Sequence, residues 1–182
     1  SPRDPRESLM KVLVTGGAGF IGSTLADALL KRGDEVLVID NYATGRRDNL
    51  TPRAGLTIVE GSIEDAALVE SSFTAFAPEV VVHAAASYKD PGDWQSDAAT
   101  NVVGTALVTD ATRAVGARRL IYFQTALCYG LQPDQQPITL DHELRPAESS
   151  YAISKTAGEY YVRLSGVDWV SFRLANGYGP RN

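Results

Sequence analysis

Short runs of aliphatic and β-branched residues alternate along this chain with longer stretches whose apolar positions recur at helical spacing. Lys11–Thr15, apolar at Val12, Leu13 and Val14, predicts a buried strand that ends in a glycine-rich turn. Phe20–Arg32 carries Ile21, Leu25, Ala28 and Leu29 on one face, which predicts a helix, and Gly33 supplies its C-terminal stop. Residues 35–39 and 56–59 predict the second and third strands, and 65–76 a second helix that ends before Pro78. Val80–His83 predicts a fourth strand, 97–115 a long helix closed by Gly116, and 119–124 a fifth strand. A helix over 150–165 and a sixth strand, Trp169–Leu174, complete the series. Such alternation implies parallel strands joined by right-handed crossovers, hence a doubly wound, Rossmann-like α/β sheet with helices on both faces. The two long irregular stretches, 40–56 and 130–149, follow strand carboxyl ends, the edge where ligands bind in open α/β sheets.

Composition narrows the class. With 182 residues the chain fits one domain, read here as 10–182. Residues 1–9 are polar, rich in Arg and Pro, and precede Met10; they read as a native tail or, preferably, a cloning remnant. The chain stops at Asn182, directly after the sixth strand, so a further C-terminal portion, a substrate domain, is expected to be lacking. A net charge of −5 gives no footprint for nucleic acid. No apolar run reaches the roughly 18 residues of a membrane span, and no secretory signal is visible. One cysteine, Cys128, excludes an intrachain disulfide, and two histidines are too few for a metal site without carboxylate help. No metal is therefore expected, and a soluble, cytoplasmic protein is.

Candidate chemistry begins at Thr15-Gly16-Gly17-Ala18-Gly19-Phe20-Ile21-Gly22, which joins the first strand to the first helix. Gly16 and Gly19 permit a tight turn and close approach of a pyrophosphate, and Gly22 lets the helix lie near the strand. The helix N-terminus then offers N–H groups and a positive dipole end to phosphates. Spaced glycines alone are weak, but strand, turn, helix and an acidic residue ending the second strand form the context of a dinucleotide site. Asp40 would accept the adenosine ribose hydroxyls and repel a 2′-phosphate, favouring NAD over NADP. Arg46 and Arg47, in the same loop, read as solvated surface, with a softened preference for NAD as the alternative.

A second constellation lies downstream. Tyr151 and Lys155 stand one helical turn apart on one face, where an ammonium would lower the phenol's pKa from about 10 and make it a usable base. Thr125, at the end of the fifth strand, could hydrogen-bond the substrate oxygen that Tyr151 deprotonates.

In order, Gly16 to Gly22, Asp40-Asn41-Tyr42, His83 to Ala86, Asn101 to Thr105, Thr125 to Gly130, Tyr151 to Lys155 and Arg173 to Arg181 resemble the extended short-chain dehydrogenase/reductase family, particularly its nucleotide-sugar epimerases and dehydratases. The resemblance implies NAD as cofactor, a nucleotide sugar (UDP-sugar favoured) as substrate, and a homodimer through the Tyr151 helix, in which Tyr160 or Tyr161 would take part. It makes Tyr151 the general base and acid, Lys155 the binder of the nicotinamide ribose, and Thr125 the residue orienting the sugar hydroxyl. Asn101 would help position Lys155 through water. Phe20 and Ile21 would line the pyrophosphate turn; Asn41, Ala43, Thr44 and Gly45 would surround the adenosine ribose. Ser62 and Ile63 would flank the adenine, Ala84, Ala85, Ala86 and Tyr88 would border the cofactor, and Asn176 would contact the substrate diphosphate. Three departures from the family pattern stand out. Ser62 stands where Asp is usual, Gln124 where Ser is common, and Ala126-Leu127 where dehydratases carry an acidic pair. The last departure removes the acid and base needed for water elimination. Epimerisation through a 4-keto sugar is the reading that remains, with a net dehydrogenase or reductase and a non-catalytic dinucleotide sensor as alternatives. The chain by itself is expected to bind NAD and to turn over poorly.

The other conspicuous side chains read as structural. His83 is expected to be a satisfied core residue, His142 solvated, Cys128 small and buried, and Trp94 and Trp169 packing residues, with Trp94 alternatively covering the substrate.

Overall fold

Every strand that the sequence predicts is formed, and all lie in one sheet. The computed structural model describes residues 9–181, so the tail at 1–9 falls, but for Leu9, outside them. The elements run β1 (Lys11–Thr15), α1 (Phe20–Arg32), β2 (Glu35–Asp40), β3 (Leu56–Glu60), α2 (Ala66–Phe76), β4 (Val80–His83), α3 (Trp94–Asp97), α4 (Thr105–Ala114), β5 (Arg119–Thr125), α5 (Ser150–Leu164) and β6 (Trp169–Leu174). Strand order is β3-β2-β1-β4-β5-β6, and all five pairings are parallel. The order reverses between β1 and β4, which opens a crevice at their carboxyl ends.

Alternation within the strands divides the core. Leu13, Leu37, Ile39, Val81, Leu120 and Tyr122 face α2, α4 and α5 with Val69, Phe73, Val108 and Val162. Val12, Val14, Val36, Val38 and Val82 face α1, through Ala26, on the other side. Both faces are covered at the centre, so the strands read as continuous apolar runs rather than as alternating ones.

Two helices depart from expectation. The second begins at Ala66, because the Asp65 carboxylate caps it by accepting the Ala67 and Leu68 N–H groups. The long helix starts earlier than predicted, at Trp94, where Asp93 accepts the Ser96 N–H, and between α3 and α4 it widens into a π-helical stretch, Ala98–Gly104. Such wide turns concentrate at functional sites, and this one carries Asn101. Trp94 is not a packing residue: it is 69% exposed, with its indole N–H donated to the Pro91 carbonyl. Trp169 does pack against the core.

Candidate active site

The turn after β1 is shaped by what cannot fit. Gly16 has φ +67°, and a Cβ there would lie 2.6 Å from the Ala85 backbone N. A Cβ on Gly22 would lie 2.3 Å from the Gly16 carbonyl oxygen, so α1 can press onto the turn only without a side chain at that position. No side chain caps α1; Gly19 stands at its N-cap, leaving the first-turn N–H groups for a ligand. Asp40, 7% exposed, organises the loop beside it: Oδ2 accepts the Ala18 N–H at 2.8 Å and Oδ1 the Tyr42 N–H at 2.7 Å. This ties β2 to the glycine turn and stabilises Tyr42 at φ 57°.

A single cleft of about 1730 Å³ runs from this turn across the sheet edge, roomier than the roughly 300–1,000 Å³ of a typical small-molecule pocket. Gly16, Gly19, Phe20, Ile21, Gly22, Asp40, Asn41, Ala43 and Thr44 line one half, with Ser62 and Ile63 beside them. Ala84, Ala85, Ala86 and Tyr88 line the middle, and Thr125, Tyr151, Lys155 and Asn176 the far half. Two expected residues stand behind the wall. Gly45 backs the loop, where a Cβ would meet Ala18. Asn101, fully buried, accepts the Ser87 N–H and donates to the Ser87 carbonyl and the Ser154 hydroxyl, so it fixes the cleft's middle loop to α5 through direct bonds. Glu64 and Lys89 also line the cleft without having been assigned a role from the sequence, as do Gln124, Leu127 and Arg181, which the sequence marks only as part of the family pattern or as departures from it. Arg46 is paired with Asp48 at 2.6 Å and Arg47 with Glu60 at 2.5 Å, both at the surface.

Tyr151 and Lys155 project from the first two turns of α5, which Ser149 caps by accepting the Ala152 N–H. Their electrostatics differ from the simple pair expected. Burial, aided by Tyr88 and Asp97, pushes the Tyr151 phenol up to about 12. Burial pushes Lys155 down to about 7, against the pull of Glu159. The Lys155 ammonium lies 4.1 Å from the centre of the Tyr122 ring, a cation–π contact. Lys155 therefore does not hold the Tyr151 phenol down in this arrangement; desolvation outweighs it. The Thr125 hydroxyl accepts the Leu127 N–H at 3.2 Å and keeps its own proton for the cleft.

His83 is a satisfied core residue. Its Nδ1 meets Thr15 Oγ1 at 2.6 Å and its Nε2 meets Thr105 Oγ1 at 2.9 Å. Burial pushes it down to about 3, so the ring is neutral. Cys128 is buried and pushed up to about 11 by that burial, a thiol rather than a nucleophilic thiolate. His142 is partly exposed, with its ring edge-on to Tyr129.

A profile of the NAD dependent epimerase/dehydratase family matches residues 12–182. The chain belongs to that family. It is 37% identical over 182 residues to the UDP-glucose 4-epimerase of Mycolicibacterium smegmatis, an alignment covering 94% of this chain and 58% of that protein. Among solved structures, Bordetella bronchiseptica WbmH in complex with NAD+ superposes with a TM-score of 0.94 at 55% identity, covering 96% of this chain and 59% of that one. WbmG from the same organism, in complex with NAD and UDP, superposes with a TM-score of 0.93 at 54% identity, covering 97% and 57%. The chain thus spans little more than half the length of these relatives. For a member of the epimerase/dehydratase family, the glycine turn and the Tyr151–Lys155 helix are the two ends of one continuous cleft. Among the described residues no helix is long and apolar enough to cross a membrane.

Proposed function

We propose that this chain is the NAD-binding and catalytic part of a nucleotide-sugar 4-epimerase. The observation that carries the reading is the single cleft joining the glycine turn and Asp40 to Thr125, Tyr151 and Lys155. The residues fit a dinucleotide: the Gly16 and Gly22 positions are closed to any Cβ, and α1 presents an uncapped N-terminus to a pyrophosphate. Asp40 would accept the adenosine ribose hydroxyls and repel a 2′-phosphate, which favours NAD. Asn41, Ala43 and Thr44 would border that ribose, and Ser62 and Ile63 the base.

When bound, NAD supplies a reversible hydride acceptor and a positive ring whose charge favours the Tyr151 phenolate. Tyr151 then takes the proton of the sugar's C4 hydroxyl and returns it after the sugar has turned. Thr125 donates to the same oxygen and orients it. Lys155 would hold the nicotinamide ribose and, with NAD in place, add its positive charge in favour of the phenolate that accepts the proton. Asn176, on the segment after β6 and lining the cleft, would contact the substrate diphosphate, and UDP-sugars are the favoured class, a choice supported by the WbmG complex with NAD and UDP. Ala126 and Leu127 place no acid or base beside Thr125, which disfavours water elimination.

The proposed partner is a second copy of the chain. Ile153, Tyr160, Tyr161 and Leu164 form an exposed apolar stripe along α5, with Val103 exposed on the neighbouring π-helical stretch. A buried single thiol suits the proposed cytoplasmic location.

Tyr151→Phe tests the reading. It should abolish interconversion of UDP-glucose and UDP-galactose by the intact protein while leaving its NAD affinity, measured by calorimetry, unchanged. Loss of both, or loss of neither, contradicts the role given to Tyr151.

A further inference from the structure

Gln124 stands at the penultimate position of β5, 2% exposed, and its amide is engaged on both sides. Its Nε2 donates to the Lys155 carbonyl at 3.1 Å and to Glu159 Oε2 at 3.1 Å. Its Oε1 accepts the Thr125 N–H at 2.8 Å. The orientation has no workable alternative. A flipped amide would set oxygen against a carbonyl and a carboxylate, and NH2 against an N–H.

Glu159 aims this amide. It is 1% exposed, and it accepts from Arg173 at 2.9 Å, Arg163 at 2.5 Å and the Ser171 hydroxyl at 3.2 Å. Burial alone would raise its carboxyl, but Arg173, Gln124 and Arg163 together hold it below the ordinary carboxylate value. The Lys155 carbonyl is held a second time, by the Tyr122 hydroxyl at 2.8 Å. The sheet has its own ladder, with Gln124 opposite Arg173 and Thr125 opposite Leu174. The side-chain bonds therefore fix something the ladder does not, the spacing between the end of β5 and the first turns of α5.

Resting on the reading above, we propose that Gln124 is a positioning residue that clamps Thr125 to Lys155. Held by Glu159, its amide sets the distance between the hydroxyl that orients the sugar and the helix turn that carries Lys155. A side chain that only fills the space leaves the Lys155 carbonyl to Tyr122 alone and frees the Thr125 N–H from any link to α5. Misplacement of reacting groups by a fraction of an ångström is enough to slow a reaction that depends on their orientation.

The test compares Gln124→Met, Gln124→Glu and Tyr151→Phe in the intact protein. Gln124→Met should lower kcat by about tenfold or more, equivalent to about 1.4 kcal/mol, with KM and NAD affinity unchanged. Independently of turnover, amide hydrogen exchange at Thr125 should quicken while the amides of β1 keep their protection. Gln124→Glu supplies a pH signature that a space-filling role would lack. Only its protonated carboxyl can donate to the Lys155 carbonyl, so its activity relative to wild type should recover as pH falls. Wild-type kcat and Thr125 exchange in Gln124→Met would overturn the clamp, as would a Gln124→Glu deficit that is the same at every pH. Full turnover in Tyr151→Phe would overturn the underlying site reading instead, which keeps the two failures apart.

Discussion

At Gly22 the smallest possible side chain is already too large, since a Cβ would lie 2.3 Å from the Gly16 carbonyl oxygen. Gly22→Ala must therefore push α1 away from the turn. It should cost about 1–3 kcal/mol in urea unfolding and weaken NAD binding measured by calorimetry. Unchanged binding would mean that the turn does not hold the pyrophosphate. The need for glycine at positions 16 and 22 was legible in the sequence because their spacing falls between a predicted strand and a predicted helix. The restriction at Gly17 was not: there a Cβ would meet the Val38 side chain 2.5 Å away, a clash that depends on how β2 packs. Asp40 shows the same division. Its place at the end of β2 could be read from the chain, whereas the bonds from the Ala18 and Tyr42 N–H groups arise only when the loop curls back. For Asn101 the direct bonds of its amide to Ser87 and Ser154 likewise join residues far apart in the chain and could not be read from it.

At the scale of elements, α5 and β4 bury three titratable groups that make stability depend on pH. His83 on β4 is pushed down to about 3 by burial, with Lys155 adding to the effect. The unfolded chain takes up a proton at this residue below about 6.5, so stability is lost as pH falls from there toward 3. Glu159 on α5 is held below its ordinary value of about 4.3; its contribution is present above that value and is lost on further acidification. Lys155 is pushed down to about 7 by burial. Between about 7 and about 10.4 the unfolded chain holds the proton that the folded chain has released, so this residue makes stability rise with pH. Urea unfolding across pH should give a falling acid limb below about 6.5, and Lys155→Met should flatten the alkaline rise. An unaltered alkaline profile in Lys155→Met would contradict the burial argument. None of this could be read from the chain, which showed a Tyr–Lys pair at helical spacing but not that both would be desolvated. The wide turn at Ala98–Gly104 was equally hidden, because helical periodicity does not register one extra residue per turn.

At the scale of the whole molecule, the alternating pattern was sufficient for the parallel sheet, because βαβ crossovers have one favoured hand and strands buried on both faces read as continuous apolar runs. The site was legible where its residues lie at fixed offsets from a strand end or a helix start. The turn after β1, Thr125 after β5, and Tyr151 with Lys155 on α5 are of that kind. What stayed hidden are contacts between elements distant in sequence, such as Gln124 reaching Lys155 and Glu159, or Arg181 reaching Asp27 on α1 at 2.5 Å. The molecule so assembled has a glycine turn and the Tyr151 phenol lining one cleft, and the proposed function needs a sugar and NAD to exchange hydride within it. The most direct test supplies the intact protein with NAD and UDP-glucose carrying deuterium at C4, and follows the sugar by NMR. The account predicts UDP-galactose with the deuterium still at C4 and no net consumption of NAD. Washout of the label into solvent, or stoichiometric use of the cofactor, would contradict it.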